Sequence, residues 1–285
     1  MMDQKKNLKT NNSVDFNNLN ENHLSIQLSL DGFSFCIINK VKNQVEKLEH
    51  FVFEDKSPTP EKLLKNVEEL FKKEKHLQKR YGSVNISHVN QLSTLVPKSL
   101  FDEDRIRDYL KFSSKTYTND YLVHDELENH DMVNVYVPFV NVNNFFLQRY
   151  GSFEYKHFST VFVNTLLNTF KFSEHPHMFV HIGENQLEIM VIAHDKLIFY
   201  NSFTYETKED FIYYILFTAE QMELNPEVFE LVIAGKINLE SDFYTIAYTY
   251  VRKVSLLENR SQFKFPSNIK EETKRQYFTL LNQYS

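Results

Sequence analysis

Three histidines lie close together in the sequence, at His175, His177 and His181, and clustered imidazoles are frequent metal ligands. His175 and His177 flank Pro176 in a linker, whereas His177 and His181 fall in one strand. Their even spacing puts His177 and His181 on one face of that strand but about 13 Å apart, which is too far to share an ion directly. No acidic residue follows at a recognised zinc spacing. We therefore predict no metal site.

A nucleophile could in principle be supplied by Cys36, the single cysteine of the chain. It stands in the middle of an apolar strand, between Phe35 and Ile37, so we predict a buried and inert thiol. The sequence contains no G-x-S-x-G elbow, no G-x-x-x-x-G-K-[ST] loop and no G-x-G-x-x-G fingerprint. We predict no catalytic residue.

Composition and charge exclude several classes of partner. The net charge of −6 is spread along 285 residues without a basic stripe, so nucleic acid is not an expected ligand. No run of apolar residues approaches the roughly 18 needed to span a membrane, and the polar start of the chain lacks the apolar segment of a signal peptide. A lone cysteine suits a reducing compartment. We predict a cytoplasmic protein without membrane insertion.

The elements around these residues follow a pattern that occurs twice. The segments from Ser25 and from Met178 both read as strand, tight Gly turn, strand, polar turn, strand, with Gly32 and Gly183 at equivalent places. Each then continues into an amphipathic helix and another strand. We therefore predict a duplicated β-β-β-α-β unit and divide the chain into a disordered leader (1–22), an N-terminal lobe (23–173) and a C-terminal lobe (174–285).

Several further elements follow from local signals. Pro60 and Glu61 begin a helix that ends in basic residues, and Lys208 to Met222 is the matching helix of the second copy. We also predict helices at Phe101 to Phe112 and at Ile269 to Tyr284. The aromatic stretch from Phe139 to Tyr155 is predicted to lie in the core of the N-terminal lobe, with an exposed interaction surface as the alternative.

A half-molecule of three meandering strands, a helix and a strand, present twice, resembles the two-lobed actin-like ATPase fold, a duplicated ribonuclease H-like α/β fold with mixed sheets flanked by helices. More narrowly, the chain resembles an uncharacterised bacterial family of that superfamily, a domain of unknown function. The resemblance covers the chain from Leu24 to the C-terminus.

Active members of the superfamily share an Asp-x-Gly-Ser/Thr turn whose amides and hydroxyl hold phosphate while the Asp positions hydrated Mg²⁺. The resemblance places Asp31, Gly32 and Ser34 at this turn, although Asp31 abuts Gly32 without the usual spacer and Phe33 stands where a small residue is expected. From the residues alone, the same stretch is an ordinary hairpin turn, since Asp-Gly between alternating strands is a frequent turn signal.

The other two signatures are eroded. Gly183 matches the second phosphate turn, but His181 replaces its Asp, and Glu184 would direct negative charge at a phosphate; this turn is also readable as a plain hairpin. Gly235 closes the apolar strand that would carry the adenosine, and Lys236 replaces the second of its paired glycines.

The expected function follows from this erosion. We predict a noncatalytic protein with an interaction or scaffold role, a protein partner and no cofactor. One alternative is a divergent ATP-binding or ATP-hydrolysing protein in which Asp31 holds Mg²⁺ while Ser34 and Gly183 contact phosphate. Another is a regulatory domain that senses a small molecule in the cleft between the lobes.

Overall fold

The computed structural model describes residues 6–8, 21–54, 58–111, 114, 116–127, 129–172 and 175–284. Its strands, in chain order, are β1 (Lys6–Leu8), β2 (Asn22–Leu28), β3 (Gly32–Asn39), β4 (Gln44–Val52), β5 (Ser83–His88), β6 (Ser93–Pro97), β7 (Val123–Glu126), β8 (Met132–Tyr136), β9 (Glu154–His157), β10 (His177–Ile182), β11 (Gln186–Ala193), β12 (Lys196–Thr204), β13 (Glu230–Gly235) and β14 (Lys253–Leu256). Its α-helices are α1 (Pro60–Lys73), α2 (Ile106–Leu110), α3 (Val140–Tyr150), α4 (Phe158–Thr169), α5 (Lys208–Gln221), α6 (Asp242–Tyr250), α7 (Glu271–Gln276) and α8 (Phe278–Asn282).

The chain forms two compact units. The first contains Met1–Phe162, Ser261–Ile269 and Thr279–Ser285, and the second contains Val163–Arg260 and Lys270–Phe278. The predicted lobes have a single boundary after residue 173, whereas the units divide within α4 and the C-terminal residues return to the first unit.

The first unit is built on a six-stranded sheet in the order β1-β4-β3-β2-β5-β9. The β4-β3-β2 meander is antiparallel, and β5 and β9 add in parallel. Alternate residues of β2 and β3, such as Ile26 and Phe35, are fully buried in a core that includes α1 and α3. A separate antiparallel sheet, in the order β6-β8-β7, is inserted between β5 and β9 along the chain.

The second unit repeats the same plan with the order β12-β11-β10-β13-β14. Its meander β12-β11-β10 is antiparallel, and β13 and β14 are parallel to β10. One face of the sheet packs on α5 and α6, with Leu187, Ile189 and Phe211 completely buried between them. The predicted duplication of a β-β-β-α-β unit is therefore present in the structure.

The crossover helices of the two units begin alike. Thr59 caps α1 by accepting a hydrogen bond from the backbone N–H of Lys62 at 3.4 Å, and Pro60 occupies the first turn. Thr207 caps α5 in a capping box, because its hydroxyl accepts from the Asp210 N–H while the Asp210 carboxylate accepts from the Thr207 N–H. Each cap satisfies an N–H group that has no partner within the helix.

The aromatic stretch from Phe139 to Tyr155 lies in the core of the first unit, as predicted. Phe146 is fully buried, and Phe71 of α1 packs edge-on against Phe145 at a centroid distance of 5.0 Å. Cys36 is also fully buried, and desolvation raises the pKa of its thiol, so it carries no nucleophile at neutral pH.

Three predicted elements differ from the structure. The predicted terminal helix at Ile269 to Tyr284 is wrong: it is two short helices, α7 and α8, interrupted at Tyr277, and the chain passes from the second unit to the first between Phe278 and Thr279, in the first turn of α8. The predicted helix at Phe101 to Phe112 is shorter, comprising a 3₁₀ turn at Glu103–Arg105 and then α2; Phe112 itself lies outside the described residues. Within the predicted leader, β1 pairs with β4, and most of the remainder lies outside the described residues.

None of the helices in the described part of the chain combines the length and the apolar character required to cross a membrane.

Candidate functional site

The first predicted phosphate turn is a compact hairpin between β2 and β3 in the first unit. The Asp31 carboxylate accepts a hydrogen bond from the Ser29 hydroxyl at 2.5 Å. The Asp31 backbone carbonyl accepts from the Phe53 N–H at 2.7 Å, and the Ser29 N–H donates to the Gly32 carbonyl at 3.0 Å. The turn is therefore held by its own side chains and backbone, and Asp31 remains partly exposed.

Ser34 lies inside β3 and not in the turn. Its side chain is only 4% exposed, and its hydroxyl is 2.9 Å from the Nδ1 atom of His50 on β4. His50 also limits Gly32, because a Cβ atom added at Gly32 would lie 3.3 Å from the His50 Cε1 atom. The hydroxyl that the resemblance assigned to phosphate thus has an internal partner. His50 was not among the residues singled out from the sequence.

The second predicted phosphate turn, Gly183 to Asn185, joins β10 to β11 in the second unit. The Gly183 N–H donates to the Gln186 carbonyl at 2.8 Å, and the Tyr205 hydroxyl donates to the Gly183 carbonyl at 2.8 Å. A Cβ at Gly183 would lie 3.0 Å from the Gln186 carbonyl oxygen. The turn is therefore tight, and the N–H and the carbonyl of Gly183 both have hydrogen-bond partners within the protein.

Gly235 lies directly beside this turn, because β10 and β13 are parallel and Ile182 is paired with Gly235. Its φ angle is +95°, and a Cβ there would lie 2.2 Å from the Ile182 carbonyl oxygen. Both the backbone conformation and the contact exclude a side chain. The open space that a glycine provides is therefore occupied by the neighbouring strand of the protein itself.

Two residues that depart from the superfamily signatures meet at this end of the sheet. The Lys236 ammonium is 4.0 Å from the Glu184 carboxylate, and both side chains are exposed. Parallel strands end at the same edge of a sheet, which is why the residues that follow β10 and β13 become neighbours. The pair therefore places opposite charges next to Gly183 and Gly235, just after the ends of β10 and β13.

An arginine fixes the loop after β13. Arg275 of α7 donates to the carbonyl of Ile237 through its Nη1 atom and to that of Leu257 through its Nε atom, both at 3.0 Å. The Leu257 N–H in turn donates to the Ile233 carbonyl at 2.8 Å. These hydrogen bonds hold the carboxyl ends of β13 and β14 together, and they satisfy carbonyl groups of both connections.

Beside the second turn, the sheet carries a pair of titratable groups on neighbouring strands. His181 on β10 is directly opposite Glu188 on β11. The Glu188 carboxyl accepts hydrogen bonds from Tyr200 and Gln186, and its burial raises its pKa to about 7. Burial also lowers the pKa of His181 to about 4, so the ring is neutral at pH 7. His181 therefore supplies neither the negative charge of an Asp nor a positive charge.

A cluster of polar side chains around Asp125 lies in the first unit, where the inserted sheet meets β9 and α4. The Asp125 carboxylate accepts from the Tyr136 hydroxyl at 3.0 Å, the Thr160 hydroxyl at 2.6 Å and the His157 N–H at 2.9 Å. Desolvation raises the pKa of Asp125, while these donors act in the opposite direction. Sequence reasoning missed this cluster, because its members are spread over 36 residues and form no recognised motif.

The hydrogen bonds of that cluster serve the fold. His157 directs Nε2 at the Asn90 carbonyl at 3.1 Å, so Nε2 carries the proton and Nδ1 accepts from the Ser159 hydroxyl at 2.7 Å. Ser159 is fully buried and His157 is 2% exposed. The carboxylate contacts the backbone of His157 and not its ring. A serine, a histidine and an aspartate thus lie together without forming a triad that a substrate could reach.

The predicted residues fit a nucleotide poorly. Within the second unit, the structure brings Gly183 and Gly235 together, but their backbone space is filled by Gln186 and Ile182, and the side chains of Glu184 and Lys236 lie next to them. Within the first unit, Ser34 is bonded to His50. The carboxylate of Asp31 remains partly exposed. No group of three or more His, Cys, Asp or Glu side chains suited to a metal occurs among the described residues.

A family model for proteins described as of unknown function, DUF3822, matches residues 11–254. The chain belongs to the DUF3822 family. No curated protein sequence matches it significantly.

Solved structures establish the fold of this DUF3822 protein. A protein from Bacteroides thetaiotaomicron VPI-5482, described as having an actin-like ATPase fold and unknown function, matches with a TM-score of 0.77 at 23% identity, over 86% of this chain and 94% of that one. A chain of the PilM-PilN type IV pilus biogenesis complex matches with a TM-score of 0.56 at 14% identity, over 92% and 97%. The predicted actin-like ATPase fold and the predicted kind of family are confirmed.

Proposed function

We propose that this protein is a noncatalytic member of the actin-like superfamily that binds a partner protein and uses no nucleotide. The observation that carries the proposal is the pairing of Glu184 with Lys236 at 4.0 Å, at the ends of β10 and β13. Lys236 replaces the second of the paired glycines that leave room for a nucleotide in active members, and here its ammonium lies beside the Glu184 carboxylate. The side chain of Lys236 crowds a ligand that needs close approach to the backbone.

The glycines at this place support the same proposal. Gly235 is required by its positive φ and by the Ile182 backbone, and Gly183 by its close approach to Gln186. Each glycine thus has a structural reason that does not involve a ligand. In the first unit, the Ser34 hydroxyl is bonded to His50, so its presence is also explained by the fold.

The partner is expected to be a protein. One of the similar structures is a chain in a complex of PilM with PilN, so this fold occurs in a protein that assembles with another. The chain has no basic stripe for nucleic acid, and its single cysteine, Cys36, is buried and unpaired, in keeping with the cytoplasmic location that we propose.

Thermal melting with and without millimolar Mg-ATP tests the proposal. A ligand at ten times its dissociation constant that binds only the folded protein stabilises it by about 1.4 kcal/mol, which is a measurable rise in melting temperature. We expect no rise with ATP, ADP or GTP.

The control is a pair of single variants. Asp31→Ala removes the partly exposed carboxylate of the first turn, and Glu227→Ala removes an exposed acidic residue of an unrelated loop. A rise with Mg-ATP that persists in the Glu227 variant and disappears in the Asp31 variant would establish the rival function, ATP binding at the first turn, and overturn the proposal.

A further inference from the structure

The second unit has an uncovered sheet edge whose counterpart in the first unit is covered. The third strand of the first meander, β4, pairs with β3 on one side and with β1 on the other. The third strand of the second meander, β12, pairs with β11, and no strand of the described residues lies on its other edge. The duplicated plan thus shows what covers this position in one copy: a further antiparallel strand.

The exposed edge has few of the features that keep edge strands apart: a lysine at its start and one register shift, at Ile198. β12 is nine residues long, and Lys196 at its start is its single charged residue. Natural edge strands are usually short, charged, bulged outward or interrupted by proline, because a long uncharged edge is a template for pairing with another strand. Near the start of β12, at this register shift, Ile198 is 46% exposed.

The helix beside this edge carries aromatic rings where its counterpart carries charges. α1 and α5 are both 14 residues long and both follow a Thr cap, so they align position by position. Tyr213 and Phe217 of α5 then take the places of Lys65 and Glu69 of α1. Tyr213 is 59% exposed and Phe217 is 41% exposed, although the outward face of a surface helix is normally polar.

These rings are continuous with the sheet edge. Phe203 of β12 stacks on Tyr214 at 4.4 Å, Tyr214 contacts Tyr213 at 5.3 Å, and Tyr213 stacks on Phe217 at 5.9 Å. We call Tyr213, Tyr214 and Phe217 the aromatic stripe. An uncharged strand edge and an exposed aromatic stripe therefore form one surface, and contiguous exposed apolar surfaces of this kind mark interaction sites.

We propose that β12 and the aromatic stripe bind the same surface of a second copy of this chain, so that two β12 strands pair antiparallel about a two-fold axis. An antiparallel strand pair is self-complementary, as an isologous interface requires. The pairing brings Lys196, at the start of one β12, to the Glu206 end of the other, so opposite charges meet while the uncharged middle of each strand faces its copy. The proposal is independent of whether the protein binds nucleotide.

Sedimentation or light scattering over a roughly 100-fold concentration range tests the proposal, since mass action favours the dimer as concentration rises. We expect the wild-type chain to reach about twice its monomer mass of 34.0 kDa. Asn201→Lys places like charges opposite each other at the axis, because the pairing of Lys196 with Glu206 puts Asn201 opposite its own copy, and Phe217→Lys places a charge in the aromatic stripe. Both variants are expected to weaken the dimer at least 10-fold while retaining the wild-type circular dichroism spectrum.

Tyr248→Lys is the matched control, because Tyr248 is an exposed aromatic residue of another helix of the same unit, α6. The proposal is overturned by a wild-type chain that stays monomeric, by a dimer that survives both the Asn201 and Phe217 changes, or by equal weakening in the Tyr248 variant. A chain that stays monomeric by itself and pairs only with a different protein also overturns the proposal.

A cysteine scan provides a second test that does not depend on weakening the fold. The native Cys36 is fully buried, so single cysteines introduced from Leu197 to Phe203 are the reactive thiols. Two-fold antiparallel pairing brings equivalent Cα atoms within the roughly 4.4–6.8 Å needed for a disulfide at one or two neighbouring positions only. A sharp maximum of dimer formed on oxidation supports the proposal, and uniform or absent cross-linking contradicts it.

Discussion

Replacing Gly235 by alanine tests whether this glycine serves the fold. Gly235 has a φ angle of +95°, and the added Cβ would lie 2.2 Å from the carbonyl oxygen, 2.8 Å from the nitrogen and 2.9 Å from the carbonyl carbon of Ile182. Contacts under 3.0 Å are essentially never made by real Cβ atoms. The atoms that must move belong to the backbone of β10, which is held in the sheet on both sides.

The magnitude follows from a comparison with Gly151, at the end of α3. Gly151 also has a positive φ, +81°, but a Cβ there would meet nothing within 4 Å. Gly151→Ala therefore measures the conformational term alone, about 1–2 kcal/mol. Gly235→Ala adds the displacement of a packed strand, about 1–3 kcal/mol. We expect the Gly235 variant to lose roughly 2 kcal/mol more of its free energy of unfolding than the Gly151 variant.

Urea denaturation of the wild-type chain and both variants, followed by circular dichroism, measures this difference. It appears as a lower midpoint with an unchanged slope. Equal losses in the two variants would refute the reasoning, because they would show that the Ile182 backbone does not use the space beside Gly235. The glycine would then require another explanation, such as room for a ligand.

Two further predictions concern buried carboxyl groups. Because the pKa of Glu188 is raised from 4.5 to about 7, the folded chain holds a proton that the unfolded chain releases, so wild-type stability falls as pH rises between these values. Glu188→Gln removes this fall, and the difference in unfolding free energy between variant and wild type should change by roughly 3 kcal/mol from pH 4.5 to 7; a pH-independent difference contradicts the assignment. Asp125→Ala leaves the hydroxyls of Tyr136 and Thr160 without their acceptor, and we expect a loss of about 3 kcal/mol in urea denaturation; a loss under about 0.5 kcal/mol would show that the cluster is not needed.

Local patterns predicted the repeated part of the fold well. Alternation in β2 and β3, the Pro60 start of α1 and the apolar spacing in α5 are properties of neighbouring residues, and each element forms where its pattern predicts. The terminal segment was different. Its composition suits a helix throughout, but the helix is interrupted at Tyr277, close to the point between Phe278 and Thr279 where the chain passes from one unit to the other, and no local signal records that division.

The candidate site shows the same limit. Gly183 and Gly235 were recognised from turn and strand-end signals, and their neighbourhood could have been inferred from the parallel pairing of β10 and β13. The Ser34–His50 contact depends on the register of β3 with β4, which sequence spacing alone leaves open. The contact of Gly235 with Ile182 depends on a backbone distance. Long-range register, more than residue type, decides which atoms are free to bind a ligand.

Equilibrium dialysis of the purified chain against labelled ATP with Mg²⁺, at millimolar nucleotide, tests the central claim most directly. That claim is that an actin-like fold is retained here without nucleotide binding. It predicts equal nucleotide concentrations on both sides of the membrane, for the wild-type chain and for Asp31→Ala alike. Binding that approaches one nucleotide per chain, requires Mg²⁺ and is lost in Asp31→Ala would contradict it.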